Sequence, residues 1–249
     1  MQKIAMITGA TAGMGLATAR ELGKKGYRII LNGIDKEQAK DAVRELEDLG
    51  IEVSLHLFDV TKEEEIVRAV AEISKEIDHL DVLVNNAGGL GGRNRFEDMP
   101  TEFYRFVLAL NLDSAFFVTR ECIPLLKKGD HPSIINFASN AAWNGGGPGA
   151  GIYGVSKGAI VLLTRAMAKD LADYGIRVNA VSPGTIDTAF HDNIRKTKPE
   201  VFASWKNNIL MKRLGQPEEV ARVIAFLVSE ENSFMTGEIV QINGGQDLL

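Results

Sequence analysis

The chain is short of the residues that build secreted, membrane-embedded or nucleic-acid-binding proteins. It has one cysteine, Cys122, in 249 residues. A single thiol makes no internal disulfide, which excludes a disulfide-stapled scaffold and fits a reducing compartment. Cys122 falls in an apolar helical stretch and reads as a packing residue. No apolar run of about eighteen residues occurs, so no membrane span is expected. The start, Met1-Gln2-Lys3-Ile4, lacks the apolar segment and cleavage site of a signal peptide, and a cytoplasmic protein is the expectation. Positive charge is not in excess: 28 Lys and Arg against 33 Asp and Glu leave a net charge of −5, with no basic cluster. That argues against nucleic acid as the main partner. Histidine is scarce, at 4 residues, and none has a second ligand at metal spacing, so no metal is expected. There is no linker, internal repeat or low-complexity segment.

What is present is a globular composition, 45% hydrophobic and 24% charged, enough for one α/β domain over 1–249. Short Val/Ile/Leu-rich strands alternate with amphipathic helices. Strands are expected at Lys3–Ile7, Arg28–Asn32, Glu52–Leu57, Asp81–Val84, Ser133–Ala138, Arg177–Val181 and Glu238–Ile242. Helices are expected from the glycine turn to Gly26, over Lys36–Leu49, and from a Thr61 cap with Glu64 at the capping-box position. Further helices are expected over Glu102–Leu126, Ile152–Tyr174 and, with proline at its start, Pro217–Val228. Strands apolar on both faces and joined by right-handed crossovers build a Rossmann-like, doubly wound parallel β-sheet flanked by helices.

Ligands in such sheets bind at the carboxyl ends of the strands, where this chain places its polar residues. The first strand runs into Thr8-Gly9-Ala10-Thr11-Ala12-Gly13-Met14-Gly15, then a helix. Strand, glycine turn and helix make a phosphate cradle, because glycines permit the tight turn and the helix start offers unpaired N–H groups. The spacing is GxxxGxG rather than GxGxxG. The third strand delivers Asp59 and Val60, Asp59 serving either an adenine amino group or a turn. The fourth delivers Asn85-Asn86-Ala87-Gly88, whose amides either brace the crevice or form a turn. The fifth delivers Ser139 and the sixth Pro183-Gly184-Thr185. Asn111 interrupts the apolar helix Phe106–Leu110, where it either binds water or bends the helix through the backbone.

Tyr153 and Lys157 stand at i and i+4, which places them on one helix face about 5–6 Å apart. An ammonium there favours phenolate over phenol. Lowering a tyrosine by about three units corresponds to about 4 kcal/mol of differential stabilisation. Tyr153 is then expected to exchange protons near neutral pH.

The set TGxxxGxG, NNAG, Asn111, Ser139, YxxxK and PG, in this order, resembles the short-chain dehydrogenase/reductase family over essentially the whole chain, down to Thr236-Gly237 and Asn243-Gly244-Gly245. The resemblance implies an NAD- or NADP-dependent enzyme that moves hydride between nicotinamide and a carbonyl or secondary alcohol, as a homotetramer built partly through its two long helices. It implies Tyr153 as general acid/base, Lys157 as its modulator and a ribose ligand, Ser139 as holder of the substrate oxygen and Asn111 as positioner of a relay water. Cofactor contacts are implied for Gly9, Thr11, Ala12, Gly13, Met14, Gly15, Asp35, Asp59, Val60, Asn86, Ala87 and Gly88, and for Pro183, Gly184, Thr185, Ile186 and Thr188. All of Ser139, Tyr153 and Lys157 are present, which weighs against a nucleotide-binding protein without turnover.

NAD is favoured over NADP, because Ile34 and Ala12 stand where a 2′-phosphate wants a basic residue and Asp35 repels one. A lid is expected over about 186–214, holding Phe190, His191, Asp192, Arg195, Trp205 and Arg213. Arg93 and Arg95 lie on the opposite rim. Arginines around the mouth suit a carboxylate, and the glycine-rich loop Asn144–Gly151 suits a bulky polar substrate. With Thr188–Asp192 these features resemble reductases of keto-sugar acids such as uronate derivatives. The rival readings are a 3-oxoacyl-[acyl-carrier-protein] reductase and a 3-hydroxybutyrate-type dehydrogenase.

Overall fold

Strands that are apolar on both faces need cover on both, and the chain supplies it with helices on either side of one sheet. The computed structural model describes residues 2–189, 192–197 and 199–248. Its strands are β1 (Ile4–Ile7), β2 (Arg28–Gly33), β3 (Val53–Leu57), β4 (Val82–Asn85), β5 (Ser133–Phe137), β6 (Arg177–Pro183) and β7 (Ile239–Ile242). They form a seven-stranded sheet in the order β3-β2-β1-β4-β5-β6-β7, with every pairing parallel. The helices are α1 (Gly13–Lys24), α2 (Lys36–Asp48), α3 (Glu63–Glu76), α4 (Thr101–Leu108), α5 (Ser114–Leu126), α6 (Ala141–Asn144), α7 (Gly151–Asp170), α8 (Asp192–Thr197), α9 (Pro199–Asn208) and α10 (Pro217–Val228).

Alternation along each strand divides the core in two. Ala5, Ile7, Ile29, Leu31, Val82, Val84 and Ile135 meet Ala19 and Leu22 of α1, Leu46 of α2 and Ile224 of α10. On the other face, Ile4, Met6, Ile30, Leu83 and Ile134 meet Ile66 and Ile73 of α3, Cys122 and Leu126 of α5 and Met167 of α7. The strand order reverses between β1 and β4, and this switch point opens the crevice above the carboxyl ends. At the opposite edge the buried Asp81 carboxylate accepts from the N–H groups of Ile4 and Asp130, each at 2.7 Å. It therefore ties the starts of β1 and β5 together.

The structure revises three local expectations. The helix expected over Glu102–Leu126 is two helices joined by a π turn, Ala109–Asp113. Asn111 causes it: its Nδ2 donates to Val107 O at 2.9 Å and to Gly89 O at 2.8 Å, so the side chain takes over a carbonyl of its own helix and the ladder widens. Thr61 is not the cap of α3. Its hydroxyl and N–H turn back to Asp59 Oδ1, at 2.7 and 2.9 Å, so the helix begins two residues later and Glu65, not Glu64, reaches back to Asp59 N–H at 2.9 Å. The helix expected over Ile152–Tyr174 leaves α geometry after Asp170 for a short 3₁₀ turn, Ala172–Tyr174, before Gly175 reverses the chain at φ 70°.

Candidate active site

Ser139 leaves the carboxyl end of β5, and Tyr153 and Lys157 come from the first turns of α7. Gly154 lets α7 approach closely enough to bring them together. A Cβ there would lie 2.7 Å from Gly145 O and 2.9 Å from Ala141 O, so any side chain would push α7 off α6. The Tyr153 phenol is hydrogen-bonded to Ser139. Lys157 is buried, with Nζ donating to Phe137 O at 2.7 Å and lying 5.7 Å from the centre of the Tyr153 ring. A Cβ on Gly88 would sit 2.9 Å from Asn111 Oδ1 and 3.1 Å from Lys157 Nζ, so those two polar atoms converge on the Gly88 backbone. Asn111 Oδ1 also accepts from Gly89 N–H at 2.9 Å, which commits the whole amide to backbone partners.

The electrostatics run opposite to expectation. Burial pushes the Tyr153 phenol up, with the Ser139 hydrogen bond working against it, and pushes the Lys157 amine down to about 7. The i, i+4 spacing by itself implies an ammonium beside the phenol. With one carbonyl as acceptor and, among the described residues, no carboxylate paired with it, desolvation outweighs hydrogen bonding and favours the neutral amine. Its distance from the ring leaves the phenol's own burial in control.

A cavity of about 500 Å³ covers this group. Ser139, Tyr153, Lys157, Met14, Asn86, Gly88, Pro183, Gly184, Thr185, Ile186 and Thr188 line it. The remaining members of the glycine turn, Gly9, Thr11, Ala12, Gly13 and Gly15, lie just beyond Met14, and Asn111 and Ala87 sit behind the wall. Asn86 Nδ2 braces the turn by donating to Thr8 O at 2.9 Å and Gly9 O at 2.8 Å, so these amides do brace the crevice. A dinucleotide phosphate suits the turn. A Cβ on Gly15 would lie 2.5 Å from Gly9 O, α1 has no side-chain cap, and no acidic residue stands in its first turn. The helix start is thus open to an anion.

Two foreseen carboxylates also make local backbone contacts. Asp35 caps α2, accepting from Gln38 N–H at 2.9 Å, and Asp59 with Val60 forms the turn before α3 outside the cavity. Of the arginines, Arg93 lines the cavity, whereas Arg95 does not. Arg195 pairs with Asp187, and Arg213 with Glu219 at 2.7 Å. Trp205, on α9, lines the cavity; Phe190 and His191 lie outside the described residues. Asn140, Asn144 and Gln246 also line it and were not singled out as site residues. Only the proximity of Asn140 and Asn144 to Ser139 and the Asn243-Gly244-Gly245 step pointed that way.

Comparison with known proteins follows this geometry. The family model described as enoyl-(acyl carrier protein) reductase matches residues 9–247. The 3-oxoacyl-[acyl-carrier-protein] reductase of Thermotoga maritima is 36% identical over 243 residues, covering 98% of this chain and 97% of that protein. The crystal structure of a variant actinorhodin polyketide ketoreductase with NADPH superposes with a TM-score of 0.92 at 31% identity, covering 98% of this chain and 97% of that one. That of an NADH-dependent reductase responsible for alginate metabolism superposes with a TM-score of 0.90 at 34% identity, covering 99% and 98%.

The buried amine carries a pH signature. Its folded value near 7 lies below the ordinary 10.5, so the unfolded chain binds more protons between those values. Stability lost to burying the charge is fully expressed below about pH 7 and recovered as pH rises towards 10.5. Lys157→Met should therefore exceed the wild type in unfolding free energy by most at neutral and lower pH, and the gap should narrow on going alkaline. Paired urea titrations across that range measure it; a gap that does not change with pH contradicts the assignment.

Proposed function

The chain belongs to the short-chain dehydrogenase/reductase family and is an NAD(P)-dependent oxidoreductase of CH–OH and keto groups, and within that activity we propose that it acts on a small polar keto acid, of the keto-sugar or uronate-derived class, with NAD as the preferred cofactor. The carrying observation is Arg93. It faces the cavity that holds Ser139, Tyr153 and Lys157, and among the described residues no carboxylate pairs with it. Its one hydrogen bond is from Nη1 to Pro148 O, at 3.0 Å, in the glycine-rich loop. The remaining guanidinium donors suit a substrate carboxylate bound in two-pronged fashion. The alginate-metabolism neighbour supports the same substrate class.

In this reading Gly9–Gly15, Asp35, Asn86, Ala87, Gly88, Thr185 and Thr188 hold the dinucleotide and Lys157 its ribose. When bound, it supplies hydride to a carbonyl carbon or accepts it from an alcohol. Tyr153 delivers a proton to the developing alkoxide, or removes it in oxidation, and Ser139 donates a hydrogen bond to that oxygen. Trp205 and the segment from Ile186 to Leu214 close over the substrate as a lid. NAD is supported by the exposed Ile34 at the end of β2 and by Ala12, neither of which offers a cation to a 2′-phosphate. Exposed Phe106, Phe116, Val155 and Leu162 on α4, α5 and α7 support assembly as a homotetramer, and light scattering that returns a monomer would reject it. The single buried Cys122 supports action in the cytoplasm.

A 3-oxoacyl-[acyl-carrier-protein] reductase is the second reading, favoured by the Thermotoga maritima relative. One assay separates them: oxidation of NADH and of NADPH with uronate-derived ketoses and aldehydes beside 3-oxoacyl thioesters. Turnover of the acidic sugars, higher kcat/KM with NADH, and a KM at least tenfold higher in Arg93→Leu are expected. Preference for thioesters with NADPH selects the rival. In the same assay Tyr153→Phe should lose turnover while still binding NADH by fluorescence; retention of a tenth of the wild-type rate contradicts its role as acid/base.

A further inference from the structure

Gln246 faces the cavity with an amide whose two ends are told apart by its neighbours. Its Oε1 accepts from Thr185 N–H at 2.9 Å and from the Thr185 hydroxyl at 3.0 Å. A backbone N–H only donates, so the oxygen end of the amide must face Thr185 and the NH₂ end must face away from it. A Cβ on Gly184 would lie 2.8 Å from that same oxygen, so the loop after β6 closes round it. Among the described residues Nε2 has no hydrogen-bond partner. Gln246 therefore shows the cavity two N–H donors with no acceptor of their own.

The side chain is also held still. Beyond β7 the chain turns on Gly244 and Gly245, at φ 61° and 78°, a conformation that other residues rarely take. Gln246 N–H donates to Asn243 O at 3.0 Å, and Gly245 N–H donates to Asn243 Oδ1 at 2.9 Å. The next residue pins the far side of the turn. The Asp247 carboxylate accepts from Asn140 Nδ2 at 2.9 Å and from Asn144 Nδ2 at 3.1 and 3.2 Å. Gln246 is thus gripped through its amide oxygen, its backbone N–H and its neighbour. Little side-chain freedom is left to lose when a ligand binds.

Such a group discriminates strongly. A ligand oxygen placed against Nε2 takes its protons. A hydrocarbon placed there strips the amide of water and returns nothing, which costs more than a missing methylene. Gln246 stands with Thr185 at the end of β6, whereas Arg93 stands with the loop 145–151. The two residues therefore address different parts of one ligand. We propose that Gln246 is a specificity-determining residue: its NH₂ group donates to a hydroxyl or keto oxygen that the substrate carries besides its reacting oxygen, and so selects a polyoxygenated carbon chain over a hydrocarbon chain of the same length. This rests on the cavity receiving the substrate, as in the reading above, and extends that reading from the acid group to the chain that bears it.

Gluconate and hexanoate test it, because both are carboxylates of the same chain length and only gluconate carries hydroxyls. Each is titrated calorimetrically into the full chain saturated with whichever of NADH and NADPH binds more tightly. Neither acid has a carbonyl to reduce, so no turnover intrudes. The wild type should hold gluconate at least about tenfold more tightly than hexanoate. Gln246→Met, close in shape but without the donors, should lose about tenfold in affinity for gluconate and keep its affinity for hexanoate within about threefold. Should that variant not fold, Gln246→Asn, whose shorter amide cannot serve Thr185 and the ligand together, is read in the same way. A wild type with no preference for gluconate overturns the proposal, and so does a variant that keeps the preference. A merely structural Gln246, bracing the loop after β6 through Thr185, would weaken NADH and both acids alike. Arg93→Leu reads the acid group separately. Equal weakening of both acids supports the keto-acid reading, whereas no change in either removes that reading and leaves the Gln246 result standing. If neither acid binds, sorbitol and 1-hexanol carry the same comparison without a carboxylate, and a preference for sorbitol that Gln246→Met abolishes is then the required outcome.

Discussion

A lysine amine buried away from water has to find oxygen, and Lys157 finds it in the carbonyl of Phe137 at 2.7 Å. That contact ties the first turns of α7 to the end of β5. Because Tyr153 lies one helical turn earlier and Ser139 two residues after Phe137, the same contact brings phenol and hydroxyl together. The close approach is possible only because Gly154 has no side chain to hold α6 off. Burial also limits what the amine can do. Held by one neutral acceptor, it has its affinity for a proton pushed down by the loss of water.

Amides supply donors and acceptors throughout the crevice. Asn32 Oδ1 accepts from Gly9 N–H at 3.1 Å, and Asn86 donates to the carbonyls of Thr8 and Gly9. Asn85 donates to Asn136 and Thr119, and Asn136 to Thr164, each within 3.0 Å. Asn111 clasps both backbone groups of Gly89. An amide carries donor and acceptor without charge, so it can satisfy backbone groups in a desolvated site at less cost than an ionised side chain. The loops at the strand ends are thereby braced from behind, and their front faces are left to the cavity.

The wall formed by Arg93 and the loop 145–151 is built differently. The loop 145–151 shows its backbone to the cavity at Gly146 and Gly147, and it is pinned through Asn94 N–H to Gly149 O at 3.0 Å and through Arg93 to Pro148 O. Its glycines thus make a pinned wall of the cavity, rather than a slack turn. Arg93 serves both that wall and the cavity. Arg195 and Arg213 differ: their carboxylate partners are Asp187, after β6, and Glu219, at the start of α10.

Much of this was legible in the residues. Apolar periodicity placed all seven strands within a few residues, because a buried strand or an amphipathic helix is a local pattern. The i, i+4 spacing of Tyr153 and Lys157 put them on one face, and the glycine turn between a strand and a helix marked the junction of β1 and α1. Other outcomes depended on which neighbours arrive from far along the chain. Asn111 bends its helix because Gly89 lies opposite, and Asp35 and Asp59 are drawn into local caps and turns. The signs of the Tyr153 and Lys157 shifts follow from desolvation, which no spacing reveals. The contact between Asn140 and Asp247 spans 107 residues. The sequence by itself determined the element pattern and the juxtaposition of Tyr153 and Lys157, since both are short-range. Tertiary structure alone decided which polar atoms lose water and which partner replaces it, and with that the direction in which protons point.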